Sequence, residues 1–180
     1  PVIVFLILVG YFIWGLNPER NPRSVPAGLV GKPIPNFDLP VVPGLDLPGL
    51  TKAAVTNTDG PVLINVFASW CGPCRIEHPV WMRVAESDMV PIYGINYKDA
   101  PADARNWLSR HGNPYSRVGR VSQERAEVGI DLGIHGVPET YLIGPDGIIR
   151  YKHDGPVTAD VLKEEFLPRL EKWRQGSGAS

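Results

Sequence analysis

The pattern of hydrophobic and polar positions divides the chain into three parts. Residues 1–16 carry no charged or amide side chain and are rich in branched and aromatic apolar residues. Between residues 17 and 60, prolines and glycines recur every few positions, which disfavours a regular helix. After Pro61, short apolar runs alternate with amphipathic ones, which is typical of a domain built from strands and helices.

We interpret residues 1–16 as a membrane segment. As a helix the run spans roughly 24 Å at about 1.5 Å per residue, less than the roughly 30 Å hydrocarbon core of a bilayer. We therefore expect a truncated start and a missing turn before Pro1, with Tyr11, Phe12 and Trp14 at the membrane interface. The alternative is the apolar region of a cleaved signal peptide, although no small-residue cleavage site follows the run.

The rest of the chain divides by composition. We expect residues 17–35 to form a proline-rich juxtamembrane spacer, residues 36–175 to form one domain, and residues 176–180 to form a flexible tail. Alternation of apolar and polar residues over 37–41 predicts one short edge strand.

Within the domain, hydrophobic periodicity predicts an α/β arrangement. Apolar runs predict strands at 62–67, 90–97, 139–143 and 148–152, and a Gly-Pro-Asp-Gly turn separates the last two. An extended piece is expected near residues 115–118. Helical spacing predicts helices that begin at the cysteine motif and at 101, 123 and 158, with Thr158 as an N-cap and Pro79 as a kink.

The net charge and the number of cysteines exclude several classes of function. The chain has 180 residues and a formal net charge of −1, and it has no basic run, so it lacks the electrostatic footprint of a nucleic-acid-binding protein. Its two cysteines, Cys71 and Cys74, are separated by two residues. A scaffold held by several disulfides and a four-thiolate zinc site are both excluded.

The position of the cysteines predicts redox chemistry. A strand that delivers Cys71 to the N-terminus of a helix places its thiol among free N–H groups, which favour the thiolate and lower the pKa. Cys71 is therefore the predicted attacking thiol, and Cys74, one turn later, resolves the mixed disulfide. Pro73 suits the first helical turn and Gly72 leaves room for a partner chain, so we place both with Trp70 in the substrate-binding surface.

Two alternatives remain for the dithiol. A metal site could draw on His78, His111, His135 or His153, although none has a tight spacing with a cysteine. A purely structural disulfide is disfavoured, because so small a loop restricts the unfolded chain little.

A family resemblance enters at these residues. Residues 66–75 resemble the active-site signature of thioredoxin-fold oxidoreductases, and Gly136-Val137-Pro138 resembles their cis-proline loop. The resemblance implies a thioredoxin-like three-layer sandwich, in which a central mixed β-sheet is flanked by helices. It also implies a cis peptide bond before Pro138, with Val137 and Pro138 as a substrate platform.

Further segments resemble the membrane-anchored DsbE/CcmG family of cytochrome c maturation: Glu77-His78-Pro79 and residues 94–99, 136–143 and 146–153. The likeness covers about residues 30–173. It implies a single-pass inner-membrane protein whose periplasmic domain reduces the heme-binding cysteines of apocytochrome c and is re-reduced by a membrane electron carrier. We expect no cofactor and no bound metal.

One position departs from ordinary thioredoxins. Their buried carboxylate, which assists proton transfer from the resolving thiol, would fall at Asn65, and an amide cannot act as a general base. Glu77 and Glu139 are the candidates to replace it. For Glu77 the alternative is a solvated helix carboxylate, whereas Glu139 is expected in the loop that faces the dithiol.

Three functions therefore remain open. The first is a reductase for cytochrome c maturation. The second is an anchored thioredoxin-like reductase of other specificity, such as copper-site assembly or sporulation. The third is a non-enzymatic metallochaperone or binding module.

Overall fold

The computed structural model describes residues 2–15 and 28–177, and the side chains of residues 2–11 and 28–173. The predicted membrane segment forms helix α1 (Val2–Gly15). Within these described ranges, no helix combines the length and the hydrophobicity that crossing a membrane requires. Most of the predicted spacer, residues 17–27, and residues 178–180 of the predicted tail lie outside the described ranges.

The predicted apolar runs form strands of the central sheet, and β2 is a strand that the pattern did not predict. In chain order the strands are β1 (Asp38–Leu39), β2 (Leu50–Thr51), β3 (Val62–Phe67), β4 (Ile92–Tyr97), β5 (Arg117–Val121), β6 (Glu139–Ile143) and β7 (Ile149–Asp154). The central sheet has the order β5-β4-β3-β6-β7; β3, β4 and β5 run parallel, and β6 and β7 are antiparallel to their neighbours. All residues of β3 are buried, because this strand lies in the middle of the sheet with packed layers on both faces.

Helices connect the strands. They are α2 (Lys52–Thr56), α3 (Gly72–Glu86), α4 (Pro101–His111), α5 (Ala126–Asp131), α6 (Ala159–Val161) and α7 (Leu167–Ser177), with a 3-10 turn at Gln123–Arg125 and a π-helical segment at Leu162–Phe166. The helix at the cysteine motif begins where it was predicted, and Pro79 lies inside it.

Two apolar clusters lie on opposite faces of the sheet. On one face, α3, α4 and the C-terminal helices contribute Trp81, Trp107 and Phe166, which belong to one cluster with Leu63 and Phe67. On the other face, residues 29–55 and α5 cover a second cluster built on alternate residues of the same strands. This arrangement of helices around a mixed sheet confirms the predicted α/β layers.

The segment before β1 is part of this packing. The Gly31 N–H donates to the Ile149 carbonyl and the Ile34 N–H to the Gly147 carbonyl, each at 2.8 Å. Ile34 is 3% exposed. Residues 28–35, which the composition assigned to the spacer, therefore pack against the β7 end of the sheet.

The predicted edge strand is shorter than expected. Only Asp38–Leu39 forms a strand, and it pairs with β2 in a separate two-stranded sheet. Val41 is exposed and makes an isolated bridge to Gly119, while Val42 is buried in its place. The pattern predicted the extended backbone but not its partner, because both pairings involve residues distant in sequence.

The C-terminal helices begin at the predicted cap. The Val161 N–H donates to Thr158 Oγ1 at 3.3 Å. The helix continues to Ser177, so the prediction of a tail from residue 176 is wrong for its first two residues.

Candidate active site

The two cysteines form a disulfide at the end of the central strand. After β3, residues 68–70 turn the chain so that Cys71 is the N-cap of α3. The Sγ atoms of Cys71 and Cys74 are 2.05 Å apart, and the Cys74 N–H donates to Cys71 Sγ at 3.1 Å. Both side chains are buried, Cys74 more completely than Cys71. The positions suit an outer, attacking sulfur and an inner, resolving one.

The surface beside Cys71 is open. Trp70 is 60% exposed, and its Nε1–H donates to the Lys98 carbonyl at 3.2 Å. Gly72 and Pro73 are exposed, and a Cβ at Gly72 would meet nothing within 4 Å. The structure therefore brings three predicted substrate-binding residues together on one accessible surface.

Asp99 supports the turn before the dithiol. Its carboxylate accepts the Ser69 N–H and hydroxyl, both at 2.7 Å, and Asn96 Nδ2–H at 2.9 Å. Lys98, the residue before Asp99, has a φ of 47° and so adopts the left-handed backbone conformation at this bend. Sequence reasoning gave Asp99 no role, although Asn96 in an apolar strand was a signal, since a buried polar group needs a partner.

The predicted cis-proline loop is present. The Val137–Pro138 peptide bond is cis, as predicted. Val137 packs against the core cluster that contains both cysteines. An open cavity of about 450 Å³ is lined by residues 135–139 with Asp154 and Gly155. The cis-proline loop therefore forms one wall of this open cavity.

Glu77 lies in the core, and the alternative of a solvated helix carboxylate is wrong. It is 1% exposed. Asn65 Nδ2–H donates to its Oε1 at 2.7 Å and the Val157 N–H to its Oε2 at 2.9 Å. Burial raises the pKa of Glu77 to about 7, against the opposing effect of these hydrogen bonds. Because Cys74 lies three residues earlier on α3, the two side chains share a helix face.

Glu139 does not face the dithiol, and that expectation is wrong. Cross-strand pairs share a face, and Glu139 pairs with Val66 whereas Thr140 pairs with Asn65, so Glu139 lies on the face away from α3. Its carboxylate accepts the N–H groups of His135 and Gly136 at 2.8 and 3.0 Å. Lys152 Nζ lies 3.1 Å away. Glu139 thus holds the loop before the cis-proline.

Of the histidines proposed as metal ligands, His78 and His111 lie side by side, with ring centroids 6.3 Å apart. His78 is buried against Trp107 with ring centroids 4.3 Å apart, and its Nε2 lies 3.2 Å from the His111 carbonyl. Burial lowers the pKa of His78. In the part of the chain that the structure describes, no cluster of three or more His, Cys, Asp or Glu could hold a metal ion.

Sequence comparisons identify relatives. A family model described as Redoxin matches residues 29–165. The thiol:disulfide interchange protein DsbE of Pseudomonas aeruginosa is 44% identical over 172 residues, which cover 96% of this chain and 91% of that protein. The protein of the same name from Escherichia coli (strain K12) is 40% identical over 177 residues, covering 96% and 92%.

Structural comparisons identify the fold. The thioredoxin domain of a thiol-disulfide oxidoreductase from Bacteroides vulgatus has a TM-score of 0.63 at 19% identity and covers 79% of this chain and 96% of that chain. A secreted disulfide oxidoreductase of Mycobacterium tuberculosis has a TM-score of 0.60 at 16% identity, covering 76% and 96%. The fold of the domain is thioredoxin-like.

Proposed function

This chain belongs to the Redoxin family and, within it, to the DsbE thiol:disulfide interchange proteins, and we propose that this thiol-disulfide oxidoreductase acts as a reductase in cytochrome c maturation. The observation that carries the mechanism is the buried Glu77, which lies one helical turn after Cys74 and has neutral hydrogen-bond donors as partners.

The first step is attack by Cys71. In the reduced protein the Cys74 N–H and the helix dipole stabilise the Cys71 thiolate. That thiolate attacks one sulfur of a substrate disulfide. A bond forms between Cys71 and the substrate, and the other substrate sulfur leaves as a thiolate and takes a proton from water.

The second step is resolution by Cys74. Its thiol gives its proton to the Glu77 carboxylate, and the new thiolate attacks Cys71 Sγ. The Cys71–Cys74 disulfide forms, the mixed disulfide breaks, and the second substrate sulfur leaves, so two electrons pass to the substrate. A carboxyl with a pKa of about 7 is partly ionised at neutral pH and is a stronger base than an exposed carboxylate.

The substrate lies across the exposed surface around Cys71. Trp70, Gly72 and Pro73 bound one side of this surface, and the backbone at Val137 and Pro138 pairs with an extended substrate segment on the other. The exposure of Trp70 and the open cavity at the cis-proline loop support this assignment.

Partners and location complete the proposal. The substrate is apocytochrome c with its heme-binding cysteines oxidised, and a membrane protein that carries a dithiol returns the electrons. The domain, together with residues 28–35 that pack on it, acts in the periplasm, held by an inner-membrane anchor at residues 1–16 through the rest of the predicted spacer. The exposed apolar side chains of residues 2–8 support the anchor.

Trapping with Cys74→Ala tests the proposal. The reduced variant is mixed with apocytochrome c whose two heme-binding cysteines form a disulfide. Because the variant lacks the resolving thiol, we expect a mixed disulfide at Cys71 that is stable until dithiothreitol is added, detected by intact-mass measurement. Cys71→Ala is the matched control and forms no adduct.

Two outcomes would change the proposal. Equal trapping of unrelated disulfide proteins indicates a reductase of other specificity, such as one for copper-site assembly. Absence of any adduct, with Cys71 reduced and alkylatable, contradicts the reductase assignment.

A further inference from the structure

A buried tyrosine hydroxyl is connected to Glu77 through the side chain of Asn65. The Tyr115 hydroxyl donates to Asn65 Oδ1 at 2.7 Å. Asn65 Nδ2 donates to Glu77 Oε1 at 2.7 Å and to Thr140 Oγ1 at 3.1 Å. All four side chains are between 0% and 4% exposed. The bonds of Asn65 to Tyr115, Thr140 and Glu77 join residues 50, 75 and 12 positions apart, and of these four side chains the proposed mechanism uses only Glu77.

The Tyr115 hydroxyl determines the orientation of the Asn65 side-chain amide. An asparagine amide offers an acceptor on one side and two donors on the other, and the two orientations differ only in their hydrogen bonds. Burial raises the pKa of Tyr115 well above its ordinary value, so its hydroxyl stays protonated and donates. The Asn65 oxygen therefore faces Tyr115 and its NH2 group faces Glu77.

The orientation of the Asn65 amide affects how readily Glu77 accepts a proton. A donor aimed at Glu77 Oε1 stabilises the carboxylate, whereas a reversed amide would present an oxygen and stabilise the protonated acid. We propose that Tyr115 is a positioning residue for disulfide exchange: through Asn65 it sets the pH range in which Glu77 takes the proton of Cys74. This inference rests on the proposed role of Glu77 in resolution.

The surroundings leave few other groups to set this range. No ion pair to Glu77 occurs among the described residues. The titratable and charged groups that the contacts place on this side of the sheet come from α3, α4, the segment before β5, β7 and the C-terminal helices. They include Cys71, Cys74, His78, His111, Tyr115, Tyr151, His153, Glu165 and Arg169. Tyr151 donates to Glu165 at 2.6 Å and His78 contacts backbone carbonyls, so neither is directed at Glu77.

Tyr115→Phe tests the proposal. Phenylalanine keeps the stacking on Phe67, whose ring centroid lies 4.7 Å away, and removes only the hydroxyl. In the oxidised protein, where the cysteines do not titrate, the Glu77 carboxyl is followed by carbon-13 NMR and assigned with Glu77→Gln. We expect its midpoint to rise by about one pH unit, a tenfold change in proton affinity.

Tyr93→Phe is the matched control. It removes another buried tyrosine hydroxyl, which lies in the opposite apolar cluster and reaches the Ala54 carbonyl at 3.4 Å. We expect no movement of the Glu77 midpoint. A midpoint that is equal in wild type and Tyr115→Phe, or that moves as much in Tyr93→Phe, overturns the proposal.

A second variant covers the case in which Tyr115→Phe does not fold. Asn65→Leu has a similar shape and removes the donor to Glu77, so the midpoint should rise in the same way. If Tyr115 acts through Asn65, the double variant shows no further rise; an additional rise contradicts that route.

The kinetic readout is the rate at which Cys74 resolves a Cys71–thionitrobenzoate mixed disulfide, measured against pH. In Tyr115→Phe we expect this profile to move upward with the NMR midpoint. An unmoved profile would overturn the link to resolution. Since the NMR titration needs no substrate protein, failure to trap apocytochrome c would contradict the proposed function without touching this positioning role.

Discussion

Glu77 and Glu139 are two buried acids on opposite faces of one sheet. Their exposures are 1% and 3%, and the strand residues beside them, Asn65 and Val66, are adjacent in the chain. Glu77 has an amide and a backbone N–H as partners. Glu139 has Lys152, 3.1 Å away, in addition to neutral donors.

This difference in partners separates their roles. Without a cation, burial favours the neutral acid, and the pKa of Glu77 rises to about 7, where it can exchange a proton. With Lys152 beside it, Glu139 has a compensating charge and serves to hold the backbone of His135 and Gly136. Burial alone therefore does not identify a proton carrier; the charge of its partner does.

Removing the cation should give the largest effect. Lys152→Met leaves Glu139 buried without its cation, and loss of one partner of a buried ion pair costs about 3–5 kcal/mol. The Lys152 side chain is 4% exposed, so solvent cannot replace it. Urea unfolding of the oxidised protein measures the loss.

Two further variants show whether the loss comes from the unpaired charge. Lys163→Met removes an exposed lysine and should change the free energy of unfolding by less than about 0.5 kcal/mol. Adding Glu139→Gln to Lys152→Met should recover most of the loss. A double variant as unstable as Lys152→Met would mean that the lysine acts by packing or through its other contacts, Asp154 at 2.8 Å and the Gly133 carbonyl at 3.1 Å, and not through Glu139.

The sequence singled out both acids as candidates, but it predicted neither the face of the sheet that Glu139 occupies nor the partners of either acid. Apolar runs are local, so the main strands and the dithiol helix could be predicted, and the resemblance of Gly136-Val137-Pro138 to a cis-proline loop implied the cis bond at Pro138. Which face Glu139 occupies depends on the register of β6 on β3, where a shift of one residue reverses every side chain. The partnership of Tyr115 with Asn65 likewise depends on strand order. Polar residues within apolar strands were the available signal.

The pH dependence of stability should give the next largest effect. The folded pKa of Glu77, about 7, lies above the ordinary value of 4.5, so between these values the native state binds more protons than the unfolded state. Its contribution to stability is present below pH 4.5 and is lost as the pH rises through about 7. The loss amounts to about 3 kcal/mol, from about 1.4 kcal/mol per pH unit.

Comparison with Glu77→Gln isolates this effect. The free energy of unfolding of the oxidised wild type, minus that of the variant, should fall by this amount between pH 4.5 and 8. The subtraction removes the opposite pH dependence that His78 contributes in both proteins. A constant difference across the range would show that the pKa of Glu77 is the same in the native and unfolded states, which would remove the basis for its role as proton acceptor.

The smallest expected effect comes from removing the Tyr141 hydroxyl, and it compares the two faces of the sheet most directly. Tyr141 donates to Glu139 Oε2 at 2.9 Å, as Tyr115 donates to Asn65 behind Glu77. Because Lys152 and two backbone N–H groups remain on Glu139, Tyr141→Phe should cost only about 1 kcal/mol in urea unfolding. Tyr141→Phe should not change the pH dependence of the rate at which Cys74 resolves the mixed disulfide, whereas Tyr115→Phe should shift it to higher pH. Equal shifts of this pH profile in the two variants would mean that loss of either hydroxyl affects the dithiol. The charge of the partner would then not explain the different roles of Glu77 and Glu139.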